Sequence, residues 1–271
     1  MPLTRDEVRA LAAELLRAER TGTPIEPISQ RYPAATTDDA YAIQVEGVRL
    51  RVADGDPVRG HKVGLTAKAM QQQFGVDTPD FGVLRASMFH PESTPLRAAD
   101  LIAPRAEPEV SFVLGRPLRG PGVTVADVLA ATEFVVPSLE IIDSRIQDWR
   151  IGIVDTIADN ASSALVVVGG NRVRLDDVDP RLIGVTLRDN GEVVETGASG
   201  AVLGNPATAV AWLANTLAAY QTGLEEGDLI MPGSCTRAVP LTAGHTVRAD
   251  FDVLGHVSVS VIEAKAPVVT A

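Results

Sequence analysis

The stretch Arg105-Ala106-Glu107-Pro108-Glu109-Val110-Ser111-Phe112-Val113-Leu114 restricts what this chain can fold into more than any other. Read as a strand, its side chains alternate between two faces. Glu107, Glu109 and Ser111 fall on one face, and Pro108, Val110, Phe112 and Leu114 on the other. The two carboxylates then stand about 6–7 Å apart along the strand. Like charges that close raise each other's pKa unless a cation lies between them. A hard divalent ion such as Mg²⁺ or Mn²⁺ suits carboxylate oxygens best. From this segment alone, a solvated strand face carrying two surface glutamates stands beside that reading.

A chain of 271 residues with 45% apolar and 22% charged residues can bury a substantial core, which excludes disorder. Acidic residues outnumber basic ones, 35 to 24, for a net charge of -11. No basic footprint is left for nucleic acid or an anionic membrane. With no signal pattern and no long apolar run, a soluble cytoplasmic protein is expected. The single cysteine, Cys235, rules out an internal disulfide framework and any multi-cysteine zinc site.

Residues 1–95 read as a helical region. Thr4 to Glu7 has capping-box spacing, followed by Val8, Leu11, Leu15 and Leu16 at helical intervals. A second helix opens at Thr37 and ends by Gly55. Arg59 to Leu65 reads as a short strand in which Lys62 shares a face with Gly60 and Gly64, and glycines there allow backbone or ligand to come close. The spacing predicts a helix over Ala67 to Phe74, then a turn-rich loop, Gly75 to Gly82, that carries Asp80. An ordinary surface lysine and a turn-forming aspartate are the plain alternatives for Lys62 and Asp80. The glycine spacing of Gly55 to Gly60 mimics a phosphate-cradling loop, but His61 stands where its lysine belongs.

Residues 96–265 read as β-rich, with helices inserted rather than alternating, which argues for an α+β fold over a doubly wound sheet. In the strand Glu133 to Asp143, Ser138, Glu140 and Ile142 share a face. A lone charge in so apolar a strand is costly unless paired or bound to metal, so Glu140 is the third candidate ligand and Asp143 the fallback. Pairing of Glu140 with an arginine such as Arg145 is the alternative. Asp155 to Ser163 is a loop of small polar residues, suited to a ligand or to ordinary turns. A hairpin is expected about Asn190-Gly191 and a helix from Asn205-Pro206 to Tyr220. Leu229 to Thr236 gives a strand running into a turn where Gly233 and Ser234 could present donors, and strands 246–253 and 256–262 close the region. His61, Cys235, Trp149 and Trp212 read as packing residues.

Taken in order, Gly60 to Thr66, Pro104 to Glu109, Glu140 to Arg145, Ala158 to Ser163 and Leu203 to Pro206 resemble the 2-oxopent-4-enoate hydratase group of the fumarylacetoacetate hydrolase superfamily. The resemblance covers essentially the whole chain. It implies a mixed β-roll with a helical N-terminal region, and one Mg²⁺ or Mn²⁺ held by Glu107, Glu109 and Glu140. Lys62 and Asp80 match catalytic positions near the reacting carbons, while Leu65, Ser162, Gly233 and Ser234 match positions lining the substrate site. The implied reaction is hydration of 2-hydroxypenta-2,4-dienoate, a small anionic 2-hydroxydienoate or its 2-oxo tautomer, in meta-cleavage degradation of aromatic compounds. Homo-oligomers, and association with a related decarboxylase or hydratase, are implied too. On the residues themselves, Lys62 could donate a proton or stabilise an enolate, and Asp80 could act as general base toward water. The rivals are a 4-oxalocrotonate decarboxylase, C–C bond hydrolysis of an acylpyruvate, and a non-catalytic metal-binding partner subunit.

Overall fold

The computed structural model describes residues 2–67, 71–72 and 75–263. Three helices open the chain: α1 (Arg5–Thr21), α2 (Ile28–Arg31) and α3 (Thr37–Ala53). Thr4 and Glu7 close a reciprocal capping box on α1, and Thr36 with Asp39 does the same on α3, so two amides and a hydroxyl at each helix start are satisfied locally. The helices bury Leu11, Leu15, Ile28 and Ile43 against Ile146 and Ile157 from later in the chain. Covered in this way, the helical region is a layer on the β-structure.

The strands that follow are β1 (Val58–Gly64), β2 (Asp80–Arg85), β3 (Leu96–Arg97), β4 (Arg105–Leu114), β5 (Thr132–Ile142), β6 (Ser163–Val168), β7 (Gly184–Asp189), β8 (Glu192–Ala198), β9 (Leu229–Met231), β10 (Val239–Pro240), β11 (Thr246–Phe251) and β12 (Gly255–Ile262). Between them lie α4 (Val125–Ala131), α5 (Ile153–Ala158) and α6 (Pro206–Leu217). One seven-stranded sheet runs β2-β1-β9-β4-β5-β6, with β10 pairing on β4, and a five-stranded sheet runs β3-β12-β11-β7-β8. Most pairs are antiparallel, while β1 lies parallel to β9 and β12 to β3. This is the mixed β-roll with a helical N-terminal region. The main core, with Phe112, Leu139, Ile141, Val259 and Leu213, lies between the two sheets and α6.

Three expectations change. Asp80 does not lie in a loop: it is the first residue of β2, opposite Gly64, because Phe81 beside it is buried in the core and draws the backbone into the ladder. Asp155 to Ser163 is not a loop either; it holds the end of α5 and a tight turn, since Ile157 and Ala158 are needed in the helical layer's core. Strands β1 and β2, grouped by sequence with the helical region, pair into the same sheet as the glutamate strands, so the sheet runs through the 95/96 boundary. The helix expected over Ala67 to Phe74 lies largely outside the described residues. No helix among the described residues is long and apolar enough to cross a membrane.

Candidate metal centre and active site

Register decides which side chains meet. On β4 and β5, Glu107 stands directly opposite Glu140 and Glu109 opposite Ser138, so all four point from one face. Lys62 on β1 reaches the same face, since β1 joins β4 through β9. Carboxylate oxygens of Glu107, Glu109 and Glu140 lie within 4.8 Å of one another. Lys62 Nζ stands 3.4 Å from Glu140 Oε2 and donates a hydrogen bond of 2.9 Å to the Ala161 carbonyl. Gly64 is needed beside it, because a Cβ there would lie 2.1 Å from Asp80 Oδ1 and 3.4 Å from Lys62 Nζ. Of the two glycines flanking the lysine, Gly64 therefore makes room for a carboxylate and Gly60 for the Leu229 backbone, whose carbonyl oxygen a Cβ would meet at 1.9 Å.

The electrostatics are those of a crowded acidic pocket. Burial, then the charge of Glu140, pushes the Glu107 carboxyl up to about 7, with Lys62 and Arg105 opposing. Burial followed by Glu140 and Glu107 raises Glu109 well above the usual carboxylate range, although Glu109 Oε2 accepts a 2.8 Å hydrogen bond from the Gly233 amide. Asp80 is likewise raised by burial, and Lys62 pulls it back in part. For Lys62 burial alone would favour the neutral amine, but Glu140, Asp80, Glu107 and Glu109 together outweigh it and hold the ammonium charged.

Those observations test whether a metal fits. Four carboxylates face a single ammonium, and both oxygens of Glu140 are buried without a hydrogen-bond partner. Buried carboxylates that outnumber their one ammonium in this way are costly. An all-oxygen donor set on a rigid pair of strands suits a hard divalent cation, and the residues present fit one.

The alternatives for Glu140 are decided by its neighbours. Arg145 is spent on Asp159, with Nε 2.6 Å from Asp159 Oδ1. Asp143, the fallback ligand, accepts the amides of Ile102 and Ala103, each at 2.7 Å, and so serves as a loop anchor. Of the expected substrate-lining residues, Ser162 is buried, with its hydroxyl 3.4 Å from that of Thr156. Leu65 has a positive φ of 55° at the end of β1. The donors expected at Gly233 and Ser234 are already committed within the protein: the Gly233 amide to Glu109, and the Ser234 hydroxyl to the Thr236 carbonyl at 2.9 Å. Cys235 is buried, its thiol pushed up to about 12, chiefly by burial, which leaves it inert. Two participants escaped the sequence. The Ala161 carbonyl has no side-chain signature, and Tyr41 on α3, stacked on Phe81 with ring centroids 4.6 Å apart, carries a phenol raised first by burial and then by Asp80.

The sequence profile of the fumarylacetoacetate hydrolase C-terminal family matches residues 52–262. The chain belongs to this family. Within it, the chain is 43% identical over 254 residues to a 2-oxo-hept-4-ene-1,7-dioate hydratase of Escherichia coli, covering 92% of this chain and 95% of that one. It is 42% identical over 258 residues to a 2-keto-4-pentenoate hydratase of Burkholderia vietnamiensis, covering 95% and 98%. Among solved structures, 4-oxalocrotonate decarboxylase from Pseudomonas putida G7, complexed with magnesium and adipate, superposes with a TM-score of 0.94 at 40% identity over 96% of this chain and 99% of that one. This member of the fumarylacetoacetate hydrolase family is thus an enzyme of the hydratase and decarboxylase group, with a divalent-metal site.

Proposed function

We propose that the protein is a metal-dependent hydratase that adds water to 2-hydroxypenta-2,4-dienoate (2-oxopent-4-enoate), giving 4-hydroxy-2-oxopentanoate in meta-cleavage degradation of aromatic compounds. The observation that carries this reading is a buried ammonium, Lys62, placed 3.4 Å from Glu140 within a glutamate trio and beside Asp80. In it, residues 96–265 supply the ligands Glu107, Glu109 and Glu140, and residues 1–95 contribute Lys62 and Asp80. Mg²⁺ or Mn²⁺, when bound, supplies Lewis acidity toward the oxygens of a 2-oxo acid.

The chain's own groups do the proton work. Transfer of the C2 hydroxyl proton to C5 gives the ketone with its double bond at C3–C4, conjugated to the C2 carbonyl, so hydroxide character is needed at C4 and a proton at C3. Asp80 takes the proton from the attacking water, and its raised pKa makes it a stronger base than an ordinary carboxylate. Lys62 delivers the proton to C3, and its positive charge stabilises the enolate that precedes that transfer. Proton return from Asp80 to Lys62 restores both groups, and the balance is the net addition of one water. Leu65 and Ser162 line the substrate in this reading, with Gly233 holding Glu109 and Ser234 shaping the turn. We further infer a homo-oligomer, able to associate with a related decarboxylase.

A second reading, 4-oxalocrotonate decarboxylation, draws support from the close superposition on the Pseudomonas putida enzyme. There Lys62 would meet a dienolate formed by loss of CO₂, with the same negative oxygen at C2 but no hydroxyl at C4. Purified protein assayed on both substrates, with and without a chelator, separates the readings. The hydratase predicts chelator-sensitive turnover of the hydroxydienoate. Turnover of oxalocrotonate alone would assign the decarboxylase, and turnover of neither the non-catalytic subunit.

A further inference from the structure

The Lys62 amine is anchored by the carbonyl of an uncommon turn. Asn160, Ala161 and Ser162 all have positive φ, at 54°, 51° and 56°. Residues with a Cβ rarely adopt that conformation, and three in succession persist only where neighbours over-determine them. Here the start of the turn is pinned on two sides. On one side Arg145 donates from Nε to Asp159 Oδ1 at 2.6 Å, from its amide to Oδ2 at 2.9 Å, and from Nη2 to the Asp159 carbonyl at 2.7 Å.

On the other side the Asn160 side chain docks on β2 as a strand residue would. Its Oδ1 accepts the Val83 amide at 2.8 Å, and its Nδ2 donates to the Val83 carbonyl at 3.0 Å. The turn comes this close because Gly82, the cross-strand partner of Lys62, has no side chain: a Cβ there would lie 2.6 Å from the Asn160 carbonyl oxygen. One residue beyond these two pins, the Ala161 carbonyl receives Lys62 Nζ at 2.9 Å.

We propose that Asn160 is a positioning residue: by docking the turn on β2 through its side-chain amide, it fixes the Ala161 carbonyl that aims the Lys62 amine. The inference rests on the reading of Lys62 as the catalytic group. An ammonium has three donors on a flexible stem, and this one faces several carboxylates. The neutral carbonyl engages one donor and Glu140 attracts a second, which leaves the third directed at substrate. Without the carbonyl, no other hydrogen bond among the described residues opposes a swing of the amine onto the carboxylates.

The test uses the full-length, metal-loaded enzyme with hydroxydienoate. Asn160→Gly keeps the positive φ at little cost and removes only the amide. Misplacing a reacting group by an ångström costs about 100-fold, so kcat is expected to fall by about 10–100-fold. KM and the Mg²⁺ Kd, read by calorimetry, stay within about twofold of wild type if Asn160 acts only through Lys62. A crystal structure of the variant shows the Ala161 carbonyl beyond hydrogen-bond reach of Nζ. Asn160→Asp, which keeps the acceptor for the Val83 amide, falls between the two. The inference is overturned by wild-type kcat in Asn160→Gly when Lys62→Ala is inactive, or by metal affinity, KM and Tm collapsing together in both Asn160 variants. If Lys62→Ala itself keeps its turnover, the reading of Lys62 fails and the Asn160 inference goes with it.

Discussion

The two faces of β4 and β5 carry different chemistry although both are mostly buried, Glu107 alone of the four polar residues being partly exposed. One presents Val110, Phe112, Leu139 and Ile141 to the core between the sheets; the other presents Glu107, Glu109, Ser138 and Glu140. Phe112 and Glu140 are both fully buried. The apolar face gains roughly 25 cal/mol for each Å² removed from water. The polar face loses free energy, because desolvated carboxylates that outnumber their one ammonium destabilise the fold. Burial therefore does not distinguish a residue that stabilises from one that acts. The distinction lies in whether the buried group's bonding capacity is satisfied: Ser111 and Ser138 satisfy each other at 2.6 Å, while the oxygens of Glu140 accept no hydrogen bond and have the Lys62 ammonium, 3.4 Å from Oε2, as a charge partner.

That contrast separates activity from stability. On the polar face, Lys62→Ala is expected to lower kcat by about 10²–10⁴-fold, the usual worth of a positioned proton-transfer group, with metal affinity largely kept. On the apolar face, Phe112→Ala is expected to cost about 3–5 kcal/mol in urea denaturation, with metal affinity unchanged in the folded fraction. Variants on both faces that damaged both properties alike would break the comparison. Metal addition sharpens it. At a hundredfold excess over Kd, Mg²⁺ is expected to stabilise the wild type by about 2.7 kcal/mol, and Glu140→Gln to show little of that gain. Without metal, Glu140→Gln should be at least as stable as wild type, because it removes one of four crowded carboxylates while Asp80, Glu107 and Glu109 still face the Lys62 ammonium.

The same contrast explains what was legible beforehand. Period-two alternation in Arg105 to Leu114 places Glu107 and Glu109 on one face, and the apolar setting of Glu140 marks it as unusual; both are local signals. The capping residues Thr4, Thr36 and Asn205 likewise mark their helices within a few positions. Tertiary demands were less visible. Asp80 entered a strand because Phe81 is core and Gly64 lies opposite, and Asp155 to Ser163 became helix and turn because Ile157 packs under α1 and α3. The anchor of Lys62 is a backbone carbonyl from a residue 99 positions away, and no side-chain pattern announces a carbonyl.

The smallest effect concerns a polar group on the apolar side. His61 precedes Lys62 on β1, so strand alternation turns it toward the opposite face. It is 6% exposed, its Nδ1 has no hydrogen-bond partner, and burial pushes its pKa down to about 4. Between pH 6.5 and that value, the unfolded chain binds a proton that the folded chain refuses. His61 therefore costs nothing above pH 6.5, and stability is lost as pH falls through the window, by about 1.4 kcal/mol at pH 5.5. Glu107 on the other face, its carboxyl pushed up to about 7, titrates in the same range with opposite sign, so the quantity to measure is the stability difference between wild type and His61→Phe at pH 7 and at pH 5.5. A difference that grows in favour of the variant at pH 5.5 marks His61 as a buried neutral packing group. A difference independent of pH would mean that His61 keeps its ordinary affinity for a proton in the fold, and the two faces would then be less distinct than their side chains suggest.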